Sequence, residues 1–189
     1  MSFLDRLEPE QREQLIRAGC VEEIAPGDYL THRGDEGGDV FLVESGTFDV
    51  VDTRSNPEVV LQVAGSGSVL GELGFIDGAV RTADLRCSST ARVRIWRKST
   101  LDRALRSSVE LERSFYRALA QVTTGRLRTM VNHSSLEAKV LLGEGVAAHR
   151  AAQAVASEVL GVWAEIEERL RKIDRKPEDR SEEEWREER

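Results

Sequence analysis

Cysteine is almost absent. Cys20 and Cys87 are the only two in 189 residues. They share no metal-ligand spacing and form no framework of partners, so a disulfide scaffold and a cysteine metal site are excluded and a reduced, cytoplasmic setting is expected. No apolar run approaches the ~20 residues that cross a bilayer, and Met1-Ser2-Phe3-Leu4-Asp5 does not read as a signal peptide. Positive charge is also short. The chain has 27 Lys and Arg against 34 Asp and Glu, a formal net charge of -7. General nucleic-acid binding needs a positive face and is argued against. Histidine is sparse: His32, His133 and His149 are scattered, and none sits in a pattern with two other ligands or with a Ser or Cys nucleophile. Gly65-Ser66-Gly67-Ser68 looks phosphate-friendly but lacks the Lys and following helix of a P-loop, so it reads as a barrel turn. No enzyme is expected, and no cofactor or metal.

What is present fits a soluble domain with an extension, at 40% hydrophobic and 32% charged residues. Phe3 to Ala18 reads as a helix, with Pro9 in a first turn and Leu4, Leu7, Leu15 and Ile16 able to share a face. From Val21 to Trp96 the texture changes to short strands between glycine turns: Tyr29–Thr31, Val40–Val43, Thr47–Val51, Val59–Val63, Asp84–Cys87 and Ala91–Trp96. That spacing predicts a β barrel or jelly roll. Beyond Ser99 apolar residues recur at helical spacing: Leu101, Leu105, Leu111, Phe115, Leu119 and Val122. Asn132-His133-Ser134-Ser135 predicts a break with N-cap chemistry. A second helical stretch is expected from Leu136 to about Ile173. In it Ala152, Ala156, Val159, Trp163, Ile166, Leu170 and Ile173 form a heptad seam of about three heptads, able to zip to a second copy or fold back on its own chain. The remainder, 174–189, is a charged tail whose Trp185 is a weak hint of docking. The expected class is α+β: a β jelly-roll barrel with flanking helices over 1–127, a helical or coiled-coil extension over 128–173, then the tail.

The chemistry concentrates between Gly71 and Ala83, in Gly71-Glu72-Leu73-Gly74-Phe75-Ile76-Asp77-Gly78-Ala79-Val80-Arg81-Thr82-Ala83. The stretch begins with glycine and a carboxylate, turns through an apolar hook, and ends with arginine and a hydroxyl. Backbone N–H groups at the start of a short helix can point at an anion, because the first turn leaves its donors unpaired. Arg81 adds a planar fork of donors matched to phosphate oxygens. Glu72, an acceptor when ionised, suits a ribose hydroxyl. Thr82 supplies a hydroxyl within reach of a phosphate or a base edge. Such residues suit a cyclic sugar phosphate. Read alone, outside any family pattern, Glu72 and Arg81 are more readily a structural ion pair across a turn, since most such pairs carry no ligand.

This stretch resembles the phosphate-binding cassette of the cyclic-nucleotide-binding domain, the sensor of protein-kinase regulatory subunits, nucleotide-gated channels and the bacterial catabolite activator protein. The family pattern is Gly-Glu-Leu, a helical turn, then Arg, a small residue and Ala. Upstream, Ala25-Pro26-Gly27-Asp28, Gly34-Asp35, Ser45-Gly46 and Gly65–Ser68 agree, and the likeness covers about Phe3 to Leu127. It implies Gly71, Glu72, Leu73, Gly74, Arg81, Thr82 and Ala83 as ligand-binding residues. It also implies a lid from the following helix, for which Leu119, Val122, Thr123 and Thr124 stand in position. Two positions depart from the pattern. Val80 stands where the family often has proline, and Asp84 introduces a charge that would oppose the phosphate if it faced the pocket. Thr82 resembles the cyclic-GMP-preferring kinases, while the Gly74-Phe75 cassette looks bacterial and favours cyclic AMP.

The resemblance implies a cAMP or cGMP sensor that relays binding through its C-terminal helix to a protein partner or a homodimer. The alternative is a structural or assembly module built on the same barrel with a weak or vestigial pocket. DNA binding by this chain is rejected, since a long apolar-striped helix and an acidic tail stand where a helix-turn-helix would be needed.

Overall fold

The computed structural model describes residues 2–141 apart from residue 55, together with residues 164, 165, 168 and 171. The heptad seam, the charged tail and Trp185 lie outside these described residues.

A 3-10 turn, Leu4–Arg6, precedes helix α1, Pro9–Ala18. The single helix expected from Phe3 is therefore two pieces. Pro9 disfavours helical backbone in the residue before it, and Glu8 is extended at φ -62°, ψ 152°. Glu8 and Gln11 then cap α1 reciprocally.

Six antiparallel strands follow: β1 Cys20–Ile24, β2 Tyr29–Thr31, β3 Val40–Asp52, β4 Val59–Ala64, β5 Val69–Leu70 and β6 Asp84–Trp96. Their order is β1-β6-β3-β4, with β2 on β6 and β5 on β3. β3 and β6 are the spine, paired through Phe41 with Ile95, Val43 with Val93, Phe48 with Cys87 and Val50 with Leu85. Each was expected as two short strands and is one strand of 13 residues. Ser45-Gly46 is a bulge inside β3, not a turn: the register shifts on both sides of Ser45. Gly46 has φ +83°, and a Cβ there would lie 2.5 Å from the Thr90 carbonyl oxygen, so only glycine lets the two strands stay paired.

Two apolar clusters form. Phe41, Val43, Phe48, Leu70, Leu85, Val93 and Ile95 fill the barrel. Phe3, Leu7, Leu15, Trp96, Leu101, Phe115 and Tyr116 join the sheet to the helices. Trp96 is fully buried, and its indole N–H donates to the Leu15 carbonyl at 2.7 Å, which satisfies the one polar atom of a large apolar side chain.

Helix α3, Lys98–Arg106, leads into α4, Val109–Leu141. α4 continues through Asn132–Ser135, so the expected break does not form. Asn and Ser favour a cap but do not by themselves stop a helix, and residues 126–141 contain neither Gly nor Pro. No helix among the described residues is long and apolar enough to cross a membrane.

Candidate functional site

The cassette hangs between β5 and β6. Leu70 ends β5, Gly71 turns at φ +76°, and α2, Glu72–Asp77, carries one apolar face inward. Gly78 at φ +70° ends α2 in a left-handed cap. Residues 79–83 then return to β6. A Cβ on Gly71 would meet Arg81 Nη1 at 2.7 Å and the Asp39 carbonyl oxygen at 2.8 Å. Gly71 is thus required twice, for its backbone and for the closeness of the arginine.

Arg81 is 6% exposed. Its Nη1 donates to the Gly71 carbonyl and its Nη2 to the Asp39 carbonyl, both at 2.7 Å, and the guanidinium carbon stands 5.6 Å from the Phe41 ring centroid. Burial lowers its pKa, and Asp39, Glu72 and Asp35 act in the opposite direction. It remains a cation, as arginine does. Its backbone is held as well: Arg81 N–H donates to the Asp35 carbonyl at 2.9 Å, and Gly34 N–H donates to the Arg81 carbonyl at 2.8 Å. The Gly34–Asp39 loop therefore wraps the arginine from two sides.

Glu72 is 5% exposed, and its carboxylate accepts from Arg126 of α4. Arg126 also donates to the Val69 carbonyl. The ion pair that Glu72 makes is therefore not with Arg81 but with Arg126, 54 residues away. Nothing in the local spacing flags Arg126, since α4 carries several arginines and only the folded chain selects one. Phe75, the hook, packs edge-on against Phe115 at 5.9 Å and stacks with Tyr116 at 6.1 Å. The cassette is joined to α4 by a charged clamp and an aromatic one.

Other expected residues divide. Gly74 and Ala83 are buried, Gly71 and Leu73 half-buried, and Thr82 exposed. Thr123 is buried, but its hydroxyl donates to the Leu119 carbonyl of its own helix at 3.0 Å. Thr124 is half-buried, Leu119 is core, and Val122 packs against the core. Asp84, whose charge was expected to oppose the phosphate if it faced the pocket, is taken up elsewhere: its carboxylate accepts from the Arg33 N–H at 2.6 Å and lies 3.7 Å from His32 Nδ1, so it fastens the loop after β2. Val80, the other departure, is half exposed. A cavity of about 210 Å³ lies beside the clamp, between Gln62, Ser66 and Ser68 on one side and Val122, Gly125 and Arg126 on the other.

The family model of the cyclic nucleotide-binding domain matches residues 21–108. A cAMP-dependent protein kinase regulatory subunit of Debaryomyces hansenii is 31% identical over 119 residues, which are 62% of this chain and 25% of that protein. The chain thus spans about a quarter of this curated relative. The N-terminal domain of a transcriptional regulator from Streptomyces coelicolor A3(2) superposes with a TM-score of 0.58 at 27% identity, covering 68% of this chain and 89% of that one. A cyclic nucleotide-binding domain from Methylobacillus flagellatus KT has the same fold, with a TM-score of 0.63 at 21% identity over 67% of this chain and 72% of its own. The family match is thus confined to residues 21–108, just under half of the chain, which are similar to the cyclic nucleotide-binding domain.

Proposed function

We propose that the chain is a cyclic-nucleotide sensor in which Arg81 receives the phosphate, Glu72 a ribose hydroxyl, and α4 carries the response. Gly71, Leu73, Gly74, Thr82 and Ala83 form the rest of the cradle, with Thr123 and Thr124 on the lid side. The observation that carries this reading is the Arg126 clamp on Glu72: a hydroxyl arriving at that carboxylate must compete with a side chain of α4. A ligand shifts a conformational equilibrium only through such differential contact. The exposed Val59, Val60, Leu61 and Val63 of the edge strand β4 support an output by protein contact, since apolar edges are usually covered. Residues 1–127 are then the binding unit and 128–173 the element that meets a partner or a second copy.

Cyclic AMP is the favoured ligand. The Debaryomyces hansenii relative carries that nucleotide in its name, while Thr82 keeps cyclic GMP in the comparison. Titration calorimetry with both, on the native chain and on Arg81→Ala, tests the reading. Losing a charge-assisted phosphate pair costs on the order of 2–5 kcal/mol, at least tens-fold in affinity. Saturable binding abolished by the substitution supports the sensor. A well-folded protein that gives no heat with either nucleotide refutes it and leaves the assembly module. One observation favours that second reading: Arg81 and Glu72 both have protein partners already.

A further inference from the structure

Asp39 sits where two structures meet. Its carbonyl oxygen accepts from Arg81 Nη2 at 2.7 Å. Its carboxylate accepts from the Lys98 N–H at 2.8 Å and from Arg97 Nη1 at 2.9 Å. Lys98 is the first residue of α3, and α3 has no capping bond from the side chain of Arg97, the residue before it. Asp39 does that work from 59 residues away. A carboxylate at a helix start is doubly favourable, as acceptor for an otherwise unpaired donor and as a negative charge against the helix dipole.

The surroundings leave Asp39 little freedom. Gly38, its neighbour, lies so close to Lys98 that a Cβ would be 2.7 Å from the lysine Cδ. The Lys98 ammonium in turn stands 5.1 Å from the centroid of Phe75, the aromatic hook of α2. One residue therefore joins the cassette arginine to α3 through consecutive atoms of a single backbone unit and side chain. The carbonyl and the carboxylate leave the same Cα, so a displacement of the Asp39 backbone moves both.

We propose that Asp39 is a positioning residue that couples Arg81 to helix α3: its carbonyl orients the guanidinium, its carboxylate holds the first turn of α3, and an anion that draws Arg81 away loosens that turn. The ligand side of this coupling rests on the sensor reading above; the link between Arg81 and α3 does not, and it is tested without nucleotide. Site-resolved amide exchange by NMR, on the full chain, reports the Lys98 N–H directly. Arg81→Ala and the milder Arg81→Lys, which can reach fewer carbonyls, are expected to speed exchange at Lys98 on the order of tenfold, the worth of one charge-assisted hydrogen bond. Exchange at Val43 and Val93 in the sheet should stay unchanged, which separates coupling from general loosening. In an Asp39→Ala background Lys98 exchanges fast from the outset and the Arg81 substitutions add nothing. Asp39→Asn, which keeps an acceptor for Lys98, restores part of the protection and part of the response. Arg81 variants that leave Lys98 exchange as in the native chain overturn the proposal, as does an Asp39→Ala background in which they still act. Absence of nucleotide binding would instead overturn the sensor reading and leave this result standing.

Discussion

Removing Arg126 tests the clamp on Glu72 most directly. Arg126→Ala leaves a carboxylate at 5% residue exposure without its cation. Breaking a deeply buried pair from one side costs about 3–5 kcal/mol, because the remaining charge stays desolvated. Here the arginine side chain is 22% exposed against 6% for the glutamate, so water screens one end and the expected loss falls to about 2–3 kcal/mol. For a domain of this size that lowers the melting midpoint by roughly 4–12 °C, followed by circular dichroism. The double variant Glu72→Gln/Arg126→Ala removes the stranded charge as well and should recover about half of the loss or more, as a double-mutant cycle measures. A midpoint within about 1 °C of the native chain, or a double variant no more stable than Arg126→Ala, refutes the clamp.

Acid should expose a second pair. Arg54 holds the Asp52 carboxyl near pKa 2 against an ordinary 3.8, by side-chain and then backbone hydrogen bonds. A depressed carboxylate contributes stability that is present above pH 3.8 and lost as pH falls through about 2. Native chain and Asp52→Asn should therefore differ in urea midpoint at neutral pH and converge towards about pH 2; parallel curves would contradict the assignment. Gly71→Ala forces a left-handed backbone at φ +76° and puts its Cβ 2.7 Å from Arg81 Nη1, costing at least about 1–2 kcal/mol in denaturation. A stability equal to native would show that the cassette turn can relax. Light scattering of the full chain beside one ending at Leu141 should show loss of a dimer on truncation; equal masses for the two would remove the seam as the contact.

The barrel was legible because its signals are local. Glycines at Gly71 and Gly78 do have the left-handed backbone that only a turn requires, and the apolar run Val40–Val43 and the alternation of Ala91–Trp96 do fill a core. What failed was punctuation. Ser45-Gly46 resembles a turn in sequence, yet a bulge uses the same residues, and the choice depends on the partner strand 40-odd positions away, where Thr90 and Ala91 crowd the glycine. Asn132–Ser135 carries cap chemistry that the helix overrides. Spacing and likeness offer Glu72 and Arg81 as candidates, whereas Arg126 and Asp39, which bond to them, have no such signal. Their partners lie 54 and 42 residues away, and a lone Arg or Asp has no periodicity to betray it.

On the proposed reading, nucleotide binding at this cassette would be an exchange of partners, and the two anchors would exchange on unequal terms. Arg81 would give up two neutral carbonyls for a phosphate. Those bonds are already charge-assisted through the guanidinium, at about 1.5–3 kcal/mol each, but a phosphate adds its own negative charge and a bidentate fit, so that step is favourable. Glu72 would give up a guanidinium for a neutral hydroxyl, which is unfavourable by a similar amount. On that reading the phosphate would drive binding, and the release of Arg126 would take up part of that free energy. This predicts that Arg126→Ala binds cyclic nucleotide more tightly than the native chain, by roughly 1–2 kcal/mol or about ten-fold, even though it is the less stable protein. Calorimetry on the two chains decides it. Tighter binding by the variant means that α4 competes with the ligand, which is the differential contact a sensor needs. Weaker binding means that Arg126 orients Glu72 towards the ligand, so that α4 completes the site and is held in place by the nucleotide.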